Sequence, residues 1–206
     1  MSIHILGHPL AQHFITHLRD EQTQPSVFRS LCKKLTTLLA IEASRDLTVA
    51  EKRIATPLEM VNGHVIAETL IAVPILRAGL GMLDPFVELF PDVSVGYIGL
   101  SRDENTAIAS SYYAKLPPNI AGLPAFILDP MLATGGSAAH AVSLIADAGP
   151  KSIKMLSIVA APEGIDYLEA NYPQLEIYTA ALDRELNDRK YILPGLGDFG
   201  DRLYGT

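Results

Sequence analysis

Apolar positions recur along this chain in two rhythms, one helical and one strand-like. Through residues 26–47, Phe28, Leu31, Cys32, Leu35 and Leu38 fall three or four apart, which predicts an amphipathic helix. Ahead of it, His8-Pro9 opens a shorter pattern with Leu10, Phe14 and Leu18 at i, i+4, i+8. Further on the rhythm changes to short, nearly continuous apolar runs at residues 71–76, 93–100, 126–128, 153–161 and 175–180. Runs of that length suit strands buried on both faces. Between the later ones lie helical stretches: an alanine-rich run at 138–148 closed by Gly149-Pro150, and 162–172 with Pro162 at its start. Strands alternating with helices at this spacing predict an α/β fold with right-handed crossovers and a parallel sheet. Two stretches fit neither rhythm. Residues 48–59 are polar and broken by Thr56-Pro57, which predicts a short strand or a loop, and the polar chain from 101 to 118 has the length of a lid or hairpin arm.

Candidate chemistry gathers where strands end. The stretch FILDPMLATGGS, residues 126–137, is a strand, an acid at its end (Asp129), a turn-forming Pro130, and a small-residue loop entering a helix. Backbone N–H groups, hydroxyls and a helix N-terminus around one point hold a phosphate without a lysine. Asp129 would repel that anion, and its presence makes sense if the ligand also offers hydroxyls, as a ribose phosphate does. Neither a P-loop nor a dinucleotide fingerprint is present. Arg77 follows the apolar run IAVPIL and precedes a second small-residue turn. It suits either a salt bridge or a clamp on pyrophosphate, whose geometry matches the guanidinium fork. Arg102 stands at the root of the 101–118 segment, where a solvated surface charge is the plain reading. Asp103 and Glu104 beside it receive no role. Ligands of parallel sheets sit outside the carboxyl ends of the strands, and Arg77, Arg102 and the Asp129 loop all fall at such ends.

Composition narrows the class. At 206 residues, 49% hydrophobic and 19% charged, the chain suits one globular domain, 1–206. A net charge of −7 argues against a nucleic-acid or anionic-membrane surface. No apolar run is long enough to span a bilayer, and no basic-then-apolar leader opens the sequence, so cytoplasmic residence is expected. A lone cysteine, Cys32, excludes an internal disulfide and reads as a buried small hydrophobe. His13 and His17 share a helical face but lack a third ligand, and read as surface or interface residues. The last stretch, 191–206, carries Gly195, Gly197, Gly200 and Gly205 around Asp198 and Asp201, with enough apolar residues to pack.

FILDPMLATGGS resembles the phosphoribosyl-pyrophosphate motif of type I phosphoribosyltransferases, a hydrophobic run with two acids and a Thr-Gly turn. Pro130 stands where the second acid usually sits. That departure, with VPILRAGLGM and the ending YILPGLGDFGDRLYGT, resembles the uracil phosphoribosyltransferase branch. The resemblance implies a phosphoribosyltransferase fold with a helical N-terminal part (1–50) that caps the sheet and serves dimerisation, and a base-binding segment (191–206). It implies transfer of phosphoribosyl from phosphoribosyl pyrophosphate to uracil, giving UMP in pyrimidine salvage, with Mg2+ as cofactor. Arg77, Arg102 and Asp129 would be catalytic. These three, with Pro130, Met131, Leu132, Ala133, Thr134, Gly135, Gly136, Ser137 and Asp198, would bind phosphoribosyl pyrophosphate. Ile192, Gly197, Asp198 and Phe199 would form the uracil pocket, although many relatives carry a small residue at 199. No residue is assigned as a metal ligand. The implied partners are these small molecules and a second copy of the chain, without nucleic acid or membrane. Regulation by a purine nucleotide such as GTP stays open, as do another base as substrate and a non-enzymatic nucleotide sensor on the same fold.

Overall fold

The computed structural model describes residues 2–102 and 109–206, with the backbone alone described for 101, 102 and 109–111. Strand β1 (Ser2–Ile5) leads into helices α1 (Pro9–Arg19) and α2 (Pro25–Ala43), then the hairpin β2 (Val49–Ala55) and β3 (Met60–Ile66). The central part runs β4 (Ile71–Leu76), α3 (Leu80–Leu89), β5 (Ser94–Val95), β6 (Tyr97–Arg102), β7 (Ala109–Lys115), β8 (Pro124–Leu128) and β9 (Met131–Leu132). Helix α4 (Gly136–Ala146), β10 (Ser152–Ala160), α5 (Pro162–Asn171) and β11 (Glu176–Leu182) follow. The chain closes with β12 (Glu185–Leu186), β13 (Ile192–Leu193) and α6 (Phe199–Tyr204).

The main sheet has the order β1-β11-β10-β8-β4-β6-β7, with β5 beside β4 and β9 beside β10. Its pairs are parallel except β6 with β7, which form the antiparallel arm expected for the polar stretch after residue 101. From β4 the chain moves to β6 on one side, returns to β8 on the other, and continues outward to β10 and β11. Crossovers leaving in opposite directions must, if right-handed, lie on opposite faces. Strand residues accordingly alternate between two cores. Ala72, Phe126, Leu128, Leu156 and Tyr178 pack with buried residues of α1, α2 and α3, whereas Ile71, Val73, Ile127, Met155 and Ile177 pack with those of α4 and α5. Each large apolar side chain removed from water contributes about 1.5–3 kcal/mol, so both faces must be covered. The predicted buried run at 71–76 is β4, with Ile71 to Ile75 all buried.

Departures from the periodicity have local causes. Helix α1 buries Leu18 and packs Phe14 partly buried on the core, as the pattern predicts, but it also buries Ala11 and Ile15 while Leu10 stays 47% exposed. Helix α2 ends at Ala43 rather than near Leu47, where a tertiary contact takes over: the buried Lys154 ammonium donates to Ala43 O at 2.8 Å and pairs with Asp46. No basic residue occupies the last turn of α2, so the lysine from β10 supplies the cation that a helix C-terminus favours. Residues 48–59 hold the expected short strand, β2, and the turn that joins it to β3, with Thr56 N–H bonded to Glu59 O at 2.9 Å. The run at 93–100 is broken at Gly96 into β5 and β6. Cys32 is fully buried, as expected, and burial pushes its thiol pKa up to about 12. His13 and His17 lie edge to face on α1 with ring centroids 4.6 Å apart. Among the described residues no helix is long and apolar enough to cross a membrane.

Candidate active site

The sheet order creates a crevice where β4 and β8 lie side by side and their outgoing connections part. Ligands of open α/β sheets bind outside the strand ends at such a switch point. Arg77 follows β4 directly and Asp129 follows β8 directly, while Arg102 is the last residue of β6. The paired register of Pro74 with Leu128 sets Arg77 and Asp129 just beyond neighbouring strands. A cleft of about 260 Å³ opens there, lined by Arg77, Ala78, Asp129, Met131, Ser137 and Asp198 among others. Arg77 is exposed, and its carbonyl accepts a 3.2 Å hydrogen bond from the Tyr204 hydroxyl. The side chain of Arg102 lies outside the described residues, as do Asp103 and Glu104 altogether.

The small-residue loop is shaped by its neighbours. Gly135 is the N-cap of α4 at φ +81°, and a Cβ there would lie 2.9 Å from Gly164 O, in the first turn of α5. Glycine is required on both counts: left-handed backbone and close approach. The N-cap glycine brings no side chain of its own to α4, and Thr134 Oγ1 accepts from Gly136 N–H at 3.5 Å. Such a helix start attracts anions. Pro130 and Leu132 are buried and turn no side chain to the cleft. The Pro130 carbonyl accepts from Ile158 and Val159 N–H at 3.0 Å, and Leu132 O accepts from Ala161 N–H at 2.8 Å. These bonds stitch the loop to β10 and its exit. Arg77, Asp129 and Ser137 therefore share one cleft, with Ala133 and Thr134 in the turn leading to it.

A second cleft, about 230 Å³, adjoins the first and shares Met131, Asp198 and Phe199 with it. Its other walls are Ala133, Arg189, Lys190, Tyr191, Ile192 and Gly197, so all four residues assigned to the base meet there. Asp198 is the N-cap of α6, accepting from Asp201 N–H at 2.9 Å. The Phe199 ring is 3% exposed and packs edge to face on Phe28 of α2, centroids 5.0 Å apart. Its bulk is thus absorbed by the core. Sequence reading missed Arg189 and Lys190, and the only signal for them was a basic pair just before Tyr191. Arg19 and Asp183, which hold the segment, had no sequence signal linking them.

A mainly parallel sheet carrying a phosphate-type loop and an arginine at adjacent strand ends defines the type I phosphoribosyltransferase class. A hypoxanthine-guanine phosphoribosyltransferase structure from Bacillus anthracis shares that fold alone, at TM-score 0.53 and 13% identity over 77% of this chain and 80% of its own. A solved protein of Aquifex aeolicus superimposes at TM-score 0.95, with 38% identity over 99% of this chain and 98% of its own. The family model for uracil phosphoribosyltransferase matches residues 5–206. Uracil phosphoribosyltransferases of Roseiflexus castenholzii (50% identity, 99% of this chain and 98% of theirs) and Thermus thermophilus (47%, all of both) are similar end to end. The chain belongs to the uracil phosphoribosyltransferase family.

Proposed function

We propose that this enzyme transfers the 5-phosphoribosyl group of phosphoribosyl pyrophosphate to N1 of uracil, forming UMP and pyrophosphate in pyrimidine salvage. The observation that carries this reading is the pair of adjoining clefts, one with a cation, a carboxylate and a helix start, the other walled by Ile192, Gly197 and Phe199. The first cleft suits an activated sugar phosphate and the second a small planar base, with Asp198 and Phe199 between them.

Breaking the bond from C1 to pyrophosphate leaves positive charge on the ribose and negative charge on the leaving group. Arg77 and Arg102 stabilise that developing anion. Asp129 holds ribose hydroxyls, and residues 133–137 cradle the 5′-phosphate. The segment around Ile192 and Gly197 aligns the base nitrogen with C1. No general base is assigned, since holding two reactants in line supplies up to about 7–11 kcal/mol. A pocket that donated a backbone N–H to O4 would reject cytosine, whose amino group would leave that donor unpaired at about 1–3 kcal/mol. The oxygen donors of Asp129 and Asp198, which line one cleft, suit a hard cation such as Mg2+ and would be the residues to hold it. An ion held there would supply neutralisation of phosphate charge.

The β2–β3 hairpin supports a dimer or higher homo-oligomer. It exposes Val49, Ile54, Met60, Val65 and Ile66, with Leu58 95% exposed at its turn, and an apolar flap of this kind calls for a covering surface. Light scattering on the purified chain checks the assembly. A lone buried thiol suits a reducing, cytoplasmic setting. GTP is assigned no residues, and turnover with and without it measures that regulation. The deciding experiment assays uracil, cytosine, hypoxanthine and orotate side by side with phosphoribosyl pyrophosphate. Turnover of uracil alone is expected; turnover of another base, or of none, would reject the reading.

A further inference from the structure

We propose that Arg19 and Asp183 are positioning residues for the base, acting through the backbone of Gly195. This rests on the reading that residues 192–199 bind uracil. Asp183 lies just past β11, 7% exposed, its N–H bonded to Ala160 O at 2.8 Å. Its carboxylate receives both arms of the Arg19 guanidinium, one at 2.8 Å, and the Gly195 N–H at 2.8 Å. Arg19 Nη1 also donates to Gly195 O at 2.7 Å. One ion pair therefore claims both polar backbone groups of one residue. Gly195 accommodates this at φ +60°, where a Cβ would lie 2.1 Å from Ile192 O.

The clamp fixes the path of the chain between Ile192 and Gly197, two walls of the base cleft. Arg202 extends the same anchor, donating to Leu196 O at 2.8 Å and to Leu18 O in the last turn of α1. Neither Arg19 nor Asp183 lines either cleft, so their influence on uracil passes through the loop they hold. A guanidinium–carboxylate fork is directional, which is why it sets a position rather than merely adding attraction. Displacing the loop by about 1 Å should cost on the order of 100-fold in use of the base.

Steady-state kinetics on the full chain test this with Arg19→Ala, Asp183→Asn, their double variant and Ile192→Ala. Each single change in the pair should raise the uracil KM roughly 10- to 100-fold, while the phosphoribosyl-pyrophosphate KM stays within about threefold. The double variant should be no worse than the worse single, because the two side chains act as one unit. Arg19→Lys keeps the charge without the fork and should fall between parent and Arg19→Ala, giving a reading even if the alanine variant does not fold. Equal rises in both KM values, additive effects, or an unchanged uracil KM would overturn the proposal. If Ile192→Ala raises the uracil KM and the pair variants do not, the base pocket stands and the clamp falls. If none of them moves it, the base-binding reading falls and takes the clamp with it.

Discussion

The proposed phosphoribosyl side of the cleft rests on loops that continue strands of the main sheet, whereas the proposed base side rests on two-residue strands and a six-residue helix. On the first side, backbone bonds to β10 and its exit fix the loop, and its neighbours in space are sheet neighbours. On the second, side chains from distant sequence do the holding: Arg19 to Gly195 O, Arg29 to Leu203 O, Arg202 to Leu18 O, and Phe28 against Phe199. The comparison teaches that one site can be assembled by two kinds of cohesion. Damage to the sheet side should show in chemistry and phosphate affinity, and damage to the other side in stability and base affinity.

The largest effect tests the base side. Phe199→Ala removes a buried ring and should cost about 3–5 kcal/mol of unfolding free energy, read by urea titration. A loss below about 1 kcal/mol would mean that the core does not absorb this side chain. Next, Arg77→Ala should lower kcat by about 10²–10³-fold, or roughly 3–4 kcal/mol, through lost stabilisation of the leaving group. Because Arg77 is exposed, its thermal melt should match the parent; full turnover would remove it from the catalytic set. Gly135→Ala places a methyl at φ +81° against Gly164 O, and should cost about 1–2 kcal/mol of backbone strain. Its signature is a raised phosphoribosyl-pyrophosphate KM at unchanged uracil KM; the reverse split would erase the contrast between the two sides.

The smallest effect concerns the N-terminal helices on which the base side depends. Burial works to raise the Asp46 pKa, but the Lys154 ammonium overcomes it and holds the carboxyl below its usual 3.8. A depressed folded pKa stabilises the protein above the unfolded value and loses that contribution as pH falls through the folded one. Asp46→Asn should therefore lower Tm by a few degrees at neutral pH. The gap from the parent should close as pH drops below 3.8, followed by circular dichroism melts. A gap that persists in acid would show that charge is not its source.

Sequence alone placed Arg77 and Asp129 at strand ends. IAVPIL before Arg77 and FIL before Asp129 are local patterns, and local patterns report which residues leave a strand together. The alternation of helices and strands likewise gave the fold class, because burial on two faces writes itself as uninterrupted apolar runs. It could not give β12, β13 and α6, whose pieces are too short for any period to register. The end of α2 was equally hidden, since Lys154 ends it from 111 residues away.

What the amino-acid order determined by itself was the alternation that makes the sheet and the small-residue turns at its edge, because propensity and periodicity act between near neighbours. Tertiary structure alone decided that Arg19, Asp183 and Gly195 meet, that Phe199 faces Phe28 rather than filling the cleft, and that the two clefts share a wall. Those contacts join residues far apart in the chain, and only the packed cores bring them within hydrogen-bond or van der Waals reach.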